Sequence, residues 1–113
     1  MKLSGFMLDM ILSELEDAVG KENCSTREID KLIYSVDYFW LPRMWADRGE
    51  RMPEADIIVS PKDAQETSAI LKIANYYRIP VTTWGGGGGT QGGALPVAGG
   101  ILLDTKRMNR IYD

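Results

Sequence analysis

Glycine is concentrated in one short stretch of this 113-residue chain, where nine of its 12 glycines lie between Trp84 and Asp104. Glycine lets the backbone take a positive φ and approach a bound group closely, but it loses more conformational entropy on folding than any other residue. The usual reason for such a run is a ring of backbone N–H groups that binds an anion such as a phosphate or pyrophosphate. The candidate binding residues are Gly85, Gly86, Gly87, Gly88, Gly89, Thr90, Gln91, Gly92 and Gly93.

Two familiar phosphate-binding motifs do not fit this loop. A Walker A loop ends in Gly-Lys-Ser/Thr, and the sequence has no lysine between Lys72 and Lys106. The dinucleotide fingerprint must open a helix whose N-terminus faces the pyrophosphate. This loop continues instead into Leu95-Pro96-Val97, a Gly99-Gly100 turn and a strand-like apolar run. We therefore expect backbone N–H groups to bind the anion without a helix dipole.

The first third of the chain predicts a helical lead. Apolar residues recur at helical spacing from Leu8 to Val19, and Gly20 suits a C-terminal cap. A capping box, Ser25-x-x-Glu28, predicts the start of a second amphipathic helix. The aromatic residues that follow, from Tyr34 to Trp45, are predicted to cover the sheet, with a partner surface as the alternative.

The second half predicts a βαβ unit, which makes the whole an α/β or α+β fold. Residues 55–59 form a short apolar strand, Ser60-Pro61 suits a helix N-cap followed by Pro at the first helical position, and Val81 to Trp84 returns as a strand. We expect the two strands to be parallel, with a right-handed crossover. The glycine loop then follows the carboxyl end of the second strand, where open α/β sheets usually bind ligands.

The order of these motifs is more specific than the glycines alone. It runs through Ala-Asp-Ile-Ile-Val-Ser-Pro at 55–61, Ile-Pro-Val-Thr-Thr-Trp at 79–84, the glycine loop, Gly-Gly-Ile-Leu-Leu-Asp at 99–104 and Arg-Met-Asn-Arg-Ile at 107–111. Over about residues 8–113 the chain resembles the FAD-binding domain of the vanillyl-alcohol oxidase and p-cresol methylhydroxylase family. Within that family it is most similar to the D-lactate dehydrogenase and glycolate oxidase FAD-subunit branch. The resemblance implies the first half of a p-cresol methylhydroxylase-type FAD-binding domain.

The resemblance also implies that the glycine loop wraps the FAD pyrophosphate. The glycines of the family's loop correspond to Gly85, Gly86, Gly87, Gly89, Gly92 and Gly93 in this chain. Gly88 stands where the family usually has Thr or Ser, so Thr90 or Gln91 is expected to supply the side-chain donor. Some relatives attach the flavin covalently through a His at the Gly88 position, and this chain has no His. We therefore expect FAD to be bound non-covalently.

By resemblance, the intact enzyme would pass a hydride from the α-carbon of a D-2-hydroxy acid, such as lactate or glycolate, to flavin N5. Its electrons would then leave to a separate acceptor. The residues present here would position the cofactor, which is the usual share of a protein in cofactor chemistry. The sequence predicts no catalytic residue and no metal ligand in this chain, because no base, nucleophile pair or metal cluster stands out. Asp56, Asp63 and Asp104 are predicted to be strand-end or cap residues.

Composition excludes several other classes of function. A net charge of −3 and a pI near 4.9 do not indicate the basic surface that binds nucleic acid. The N-terminal apolar residues are interrupted by Asp9, so neither a signal peptide nor a membrane span is predicted, and a cytoplasmic location is expected. The single cysteine, Cys24, rules out an internal disulfide and is expected to be a small apolar residue beside a turn.

Two parts are expected, a helical lead and loop over 1–54 and a partial FAD-binding α/β subdomain over 55–113. Members of the resembled family are several times longer, so we expect either a truncated product or one piece completed by another polypeptide. A homo-oligomer or a complementing subunit follows as the expected partner, with contacts through the 101–104 strand or the Tyr34 to Trp45 aromatics. Two alternatives stay open: a non-catalytic remnant or assembly module that docks another chain, and nucleotide binding without redox activity.

Overall fold

The structure is a computed structural model that describes residues 5–33, 55–85 and 99–109. Its elements follow in chain order: α1 (Gly5–Val19), a 3₁₀ turn (Lys21–Asn23), β1 (Cys24–Ser25), α2 (Glu28–Ile33), β2 (Ile57–Val59), α3 (Ala64–Tyr77), β3 (Val81–Trp84) and β4 (Ile101–Asp104). The aromatic residues from Tyr34 to Trp45 and the glycines after Gly85 as far as residue 98 lie outside the described residues.

The helical lead forms as its apolar spacing predicts. In α1, Ile11, Leu15 and Val19 are buried along one face, which is the i, i+4 stripe of an amphipathic helix. The helix ends at Gly20, whose φ of +95° is a backbone conformation that glycine adopts without steric cost. Its N–H donates to the Glu16 carbonyl at 2.9 Å. The predicted C-terminal cap is therefore confirmed.

The start of α2 differs from the predicted capping box. The Ser25 hydroxyl donates to the Asp30 carboxylate and accepts a hydrogen bond from the Arg27 N–H at 3.2 Å. Ser25 also belongs to β1, and the helix begins only at Glu28. The Ser25–Glu28 capping box is thus wrong, because the antiparallel pairing of Ser25 with Ile58 holds Ser25 in an extended strand.

The N-cap of α3 lies three residues beyond the predicted Ser60 cap. Asp63 is the N-cap, and its carboxylate accepts a hydrogen bond from the Glu66 N–H at 2.9 Å. The Glu66 carboxylate in turn accepts a hydrogen bond at 2.8 Å from the N–H of Lys62, the residue before the N-cap. The bond to Asp63 satisfies an N–H group that the first helical turn leaves without an intrahelical partner. The Ser60 cap is wrong, whereas the cap role of Asp63 is confirmed.

Within the described residues, four strands form one sheet in the order β1-β2-β4-β3. β1 pairs antiparallel with β2, while β2 and β3 both run parallel to β4. The two strands of the predicted βαβ unit are therefore parallel, but β4 lies between them. This order corrects one expectation about association: the 101–104 strand is an interior strand with neighbours on both sides, so it offers no free edge to a partner.

Both faces of β2 and β4 are buried. On one face Ile57, Val59, Ile101 and Leu103 form a core with Ile11, Leu15, Val19, Ile70, Ala74 and Ile79. On the other face Ile58 and Leu102 join Ala55 and Trp84 in a second cluster. Burial on both faces is typical of parallel strands and explains the apolar runs Ile57–Val59 and Ile101–Leu103. Cys24 is half-buried and packs against the first cluster, in agreement with its predicted apolar role.

Candidate functional site

The candidate site lies at the carboxyl edge of the parallel strands. Because β2, β3 and β4 are parallel, their carboxyl ends meet at this edge, and Trp84 is opposite Asp104 in the register. β3 ends at Trp84, so Gly85 is the first residue beyond the strand. The glycine run therefore begins at the edge where open α/β sheets bind their ligands.

Gly85 is the one predicted cofactor-binding residue that the structure describes; Gly86 to Gly93 lie outside the described residues. Gly85 is exposed, and its φ is outside the left-handed region that favours glycine. A Cβ built on it would meet no atom of the described residues within 4 Å. Neither conformation nor packing in the described part of the chain requires glycine here. Among the described residues, none fills the space beside Gly85.

Thr105 holds the peptide that precedes Gly85. The carbonyl oxygen of Trp84 accepts a hydrogen bond from the Thr105 N–H at 2.9 Å and a second from the Thr105 hydroxyl at 3.1 Å. The first bond continues the ladder between β3 and β4. The second depends on the side chain, because only a residue with a suitably placed donor can make it. Sequence reasoning missed Thr105, since a single threonine after a strand carries no periodic signal.

The glycines before β4 have a structural role instead. Gly99 and Gly100 are buried, with φ values of +74° and +79°. A Cβ on Gly100 would lie 2.4 Å from the carbonyl oxygen of Pro80, well inside contact distance. The Ile101 N–H donates to that same oxygen at 2.9 Å. This turn, as predicted, needs glycine for its backbone and for close packing.

The three aspartates near the strand ends also act locally. The Asp56 carboxylate accepts a hydrogen bond from the Gly100 N–H at 2.8 Å, and Asp63 caps α3. Asp104 is 3% exposed. Its carboxylate accepts from the Lys106 N–H at 3.0 Å and lies 3.8 Å from the Lys106 ammonium. The predicted strand-end and cap roles are confirmed.

The described part of the chain contains neither a candidate metal centre nor a helix that could span a membrane. In the ranges 5–33, 55–85 and 99–109, no group of three or more His, Cys, Asp or Glu residues could hold a metal ion. Among the same residues, no helix is both long enough and apolar enough to cross a bilayer.

Comparison with known proteins places this arrangement in a family. Residues 55–113, which include β2, α3, β3, the glycine run and β4, match the model of the FAD binding domain. This match covers more than half of the chain. The protein therefore belongs to the FAD binding domain family, and FAD is its cofactor, as the resemblance implied.

Its relatives include a D-lactate dehydrogenase and a glycolate oxidase subunit, as expected from the resemblance. The chain is 46% identical over 61 residues to the D-lactate dehydrogenase of Archaeoglobus fulgidus, a match that covers 54% of this chain and 14% of that protein. It is 30% identical over 103 residues to the glycolate oxidase subunit GlcD of Bacillus subtilis, covering 91% of this chain and 20% of that protein. The chain thus spans about a fifth or less of the length of these relatives.

The fold agrees with that of a solved structure. The crystal structure of p-cresol methylhydroxylase with substrate bound superposes with a TM-score of 0.71, at 15% sequence identity, over 98% of this chain and 21% of that chain. At this identity the likeness concerns the fold alone. It confirms the expected p-cresol methylhydroxylase-type FAD-binding architecture.

Proposed function

We propose that this chain is the amino-terminal FAD-binding portion of a flavin-dependent 2-hydroxy-acid oxidoreductase, in which the glycine run from Gly85 to Gly93 holds the FAD pyrophosphate. One observation carries the proposal. Gly85 opens the run at the carboxyl edge of the parallel sheet, where a Cβ would meet no atom of the described residues within 4 Å, in a conformation that does not itself need glycine. The absence of a side chain there is explained by a ligand that approaches the backbone closely.

The chemistry of the run fits a pyrophosphate. Successive backbone N–H groups form a concave donor surface for an anion, and Thr90 or Gln91 can add a side-chain donor. Bound FAD would supply the redox chemistry, while these residues bind and orient it. Because the chain contains no His, we propose that FAD is held here without a covalent bond to histidine.

The substrate class rests on the relatives. The two relatives, which share 46% and 30% identity with this chain over the matched residues, are named D-lactate dehydrogenase and glycolate oxidase subunit. Both substrates are 2-hydroxy acids, so we propose the same class here. Since the chain spans 14% and 20% of those two proteins, the groups that bind substrate would lie in further parts of the protein or in another subunit.

The sheet provides a place for such a complementing part. β3 is paired with β4 on one side, and the described residues place no strand on its other side. An open edge offers unpaired N–H and C=O groups to another strand. This favours association of the chain with itself or with a complementing subunit, and it also fits the alternative of a non-catalytic remnant that docks another chain. Sedimentation at micromolar concentration tests association, and a stable monomer would contradict it.

Ligand titration of matched alanine variants tests the cofactor role. A Cβ at either Gly85 or Gly5 would meet no described atom within 4 Å, so Gly85→Ala and Gly5→Ala are both expected to fold. If the run binds pyrophosphate, FAD and ADP will compete for the site and riboflavin will not compete. Of the two variants, only Gly85→Ala will bind FAD more weakly than the wild type. Equal FAD affinity in the two variants, or effective competition by riboflavin, would contradict the proposal.

A further inference from the structure

The peptide between Trp84 and Gly85 has a defined orientation. Its carbonyl oxygen points to β4, because it accepts both hydrogen bonds from Thr105. The described residues contain no cis peptide, and in a trans peptide the N–H points opposite to the C=O. The Gly85 N–H therefore points away from β4, toward the side of β3 where the described residues place no strand. Those residues also provide no acceptor for it.

Thr105 is itself firmly held. Its carbonyl oxygen accepts a hydrogen bond from the Met108 N–H at 2.9 Å, which closes a turn directly after β4. The preceding residue, Asp104, is buried and accepts from the Lys106 N–H. Thr105 is half-buried between these contacts. Its hydroxyl thus bonds the Trp84 carbonyl from a fixed position on the sheet.

We propose that Thr105 is a positioning residue for the cofactor: its hydroxyl and N–H fix the Trp84–Gly85 peptide so that the Gly85 N–H points at the pyrophosphate of FAD. This inference rests on the proposed function. A preorganised donor is more effective than one that must be ordered when the ligand binds. The N–H of residue 105 can be supplied by most amino acids, whereas the second bond requires the hydroxyl.

Isosteric replacement separates the hydroxyl from the rest of the side chain. Thr105→Val removes the hydroxyl at nearly constant shape, and Thr105→Ser retains it. Loss of one neutral hydrogen bond corresponds to roughly a 2- to 10-fold change in an equilibrium constant. Thr105→Val is therefore expected to raise the Kd for both FAD and ADP by roughly 2- to 10-fold. Thr105→Ser should stay within about twofold of the wild type.

A second readout does not depend on any variant. In ¹⁵N-labelled wild-type chain, millimolar ADP should shift the amide resonance of Gly85. The amide of Gly20 should stay in place, because it already donates to the Glu16 carbonyl. In Thr105→Val the ADP-induced Gly85 shift should shrink, while riboflavin, which lacks phosphate, should leave the Gly85 amide unmoved in all variants.

The outcomes distinguish this inference from the function on which it rests. No FAD- or ADP-induced shift anywhere in the wild-type chain would contradict the proposed function and the inference together. Binding of FAD by the wild type with an unmoved Gly85 amide would contradict the inference alone. So would equal FAD affinities of Thr105→Val and Thr105→Ser.

Discussion

Asp56 and Gly100 are joined by two reciprocal hydrogen bonds. The Asp56 N–H donates to the Gly100 carbonyl at 2.7 Å, and the Gly100 N–H donates to the Asp56 carboxylate at 2.8 Å. These residues precede β2 and β4, so their bonds fix where the two neighbouring parallel strands begin. The carboxyl edge, with the candidate site, lies at the other end of the same strands.

Removal of the Asp56 carboxylate is expected to destabilise the fold. Asp56→Ala leaves the buried Gly100 N–H without its acceptor, which costs about 1 to 3 kcal/mol of unfolding free energy. Asp56→Asn keeps an oxygen acceptor and should cost less. Urea denaturation of the two variants measures the difference, and equal midpoints would show that the carboxylate does not hold this turn.

Gly100 is expected to tolerate substitution far less well than Gly85. Gly100→Ala combines a left-handed φ of +79° with a Cβ 2.4 Å from the Pro80 carbonyl oxygen. The strain and the contact together should lower the unfolding free energy by roughly 2 to 4 kcal/mol. Gly85→Ala meets neither obstacle and should change stability by less than about 0.5 kcal/mol. Thermal unfolding compares the two, and similar losses would remove the distinction between a structural and a ligand-facing glycine.

Cys24 is expected to react slowly with alkylating reagents. Burial raises the pKa of its thiol from 9.0 to about 11, with a further contribution from the carboxylates of Glu16 and Glu22. Only the thiolate reacts, so at pH 9 alkylation by iodoacetamide should be roughly 50-fold slower than that of a free thiol. An alkylation rate that titrates near pH 9 would contradict this environment.

The same pKa shift predicts the sign of a pH effect on stability. The folded state holds the thiol proton more tightly than the unfolded chain, so this contribution to stability is present below pH 9. It is lost as the pH rises from 9 toward 11. Cys24→Ala, which cannot titrate, is the control: its unfolding free energy should decline less than that of the wild type over this interval. Parallel declines would show that Cys24 does not contribute.

FAD retention by the 113-residue chain is expected to be poor. Binding sites usually enclose about 70 to 90% of a ligand, whereas this chain spans 14% and 20% of the two relatives described above. A pyrophosphate loop alone buries too little of FAD to hold it through gel filtration, although titration at high concentration should detect binding. A yellow, stoichiometric complex after gel filtration would show that the chain forms a complete FAD site.

Periodicity and local chemistry predicted much of this fold. The apolar stripe of α1, the bounds of β3 and the glycine turn before β4 follow from residues that interact with near neighbours in sequence. The position of β4 between β2 and β3 could not be predicted, because the order of strands in a sheet depends on tertiary packing. Ser60 and Asp63 are both good N-cap residues, so the sequence alone does not choose between them, and in the structure the cap is Asp63.

The candidate site, like the fold, could be predicted only in part from the sequence. Its location at the carboxyl end of β3 and the open backbone at Gly85 follow from glycine content and strand order along the chain. The role of Thr105 depends on a contact between residues 21 positions apart. That contact exists only because β3 and β4 are neighbours with Trp84 opposite Asp104.

A crystal structure of the FAD complex, in the assembly that contains this chain, would show directly whether the glycine run holds the pyrophosphate. We expect backbone N–H groups of Gly86 to Thr90 to lie within hydrogen-bond distance of the pyrophosphate oxygens, about 2.7 to 3.2 Å from nitrogen to oxygen. The Gly85 N–H should face the same group. A pyrophosphate bound elsewhere on the protein, with these N–H groups turned away from it, would show that the glycine run is not the pyrophosphate site.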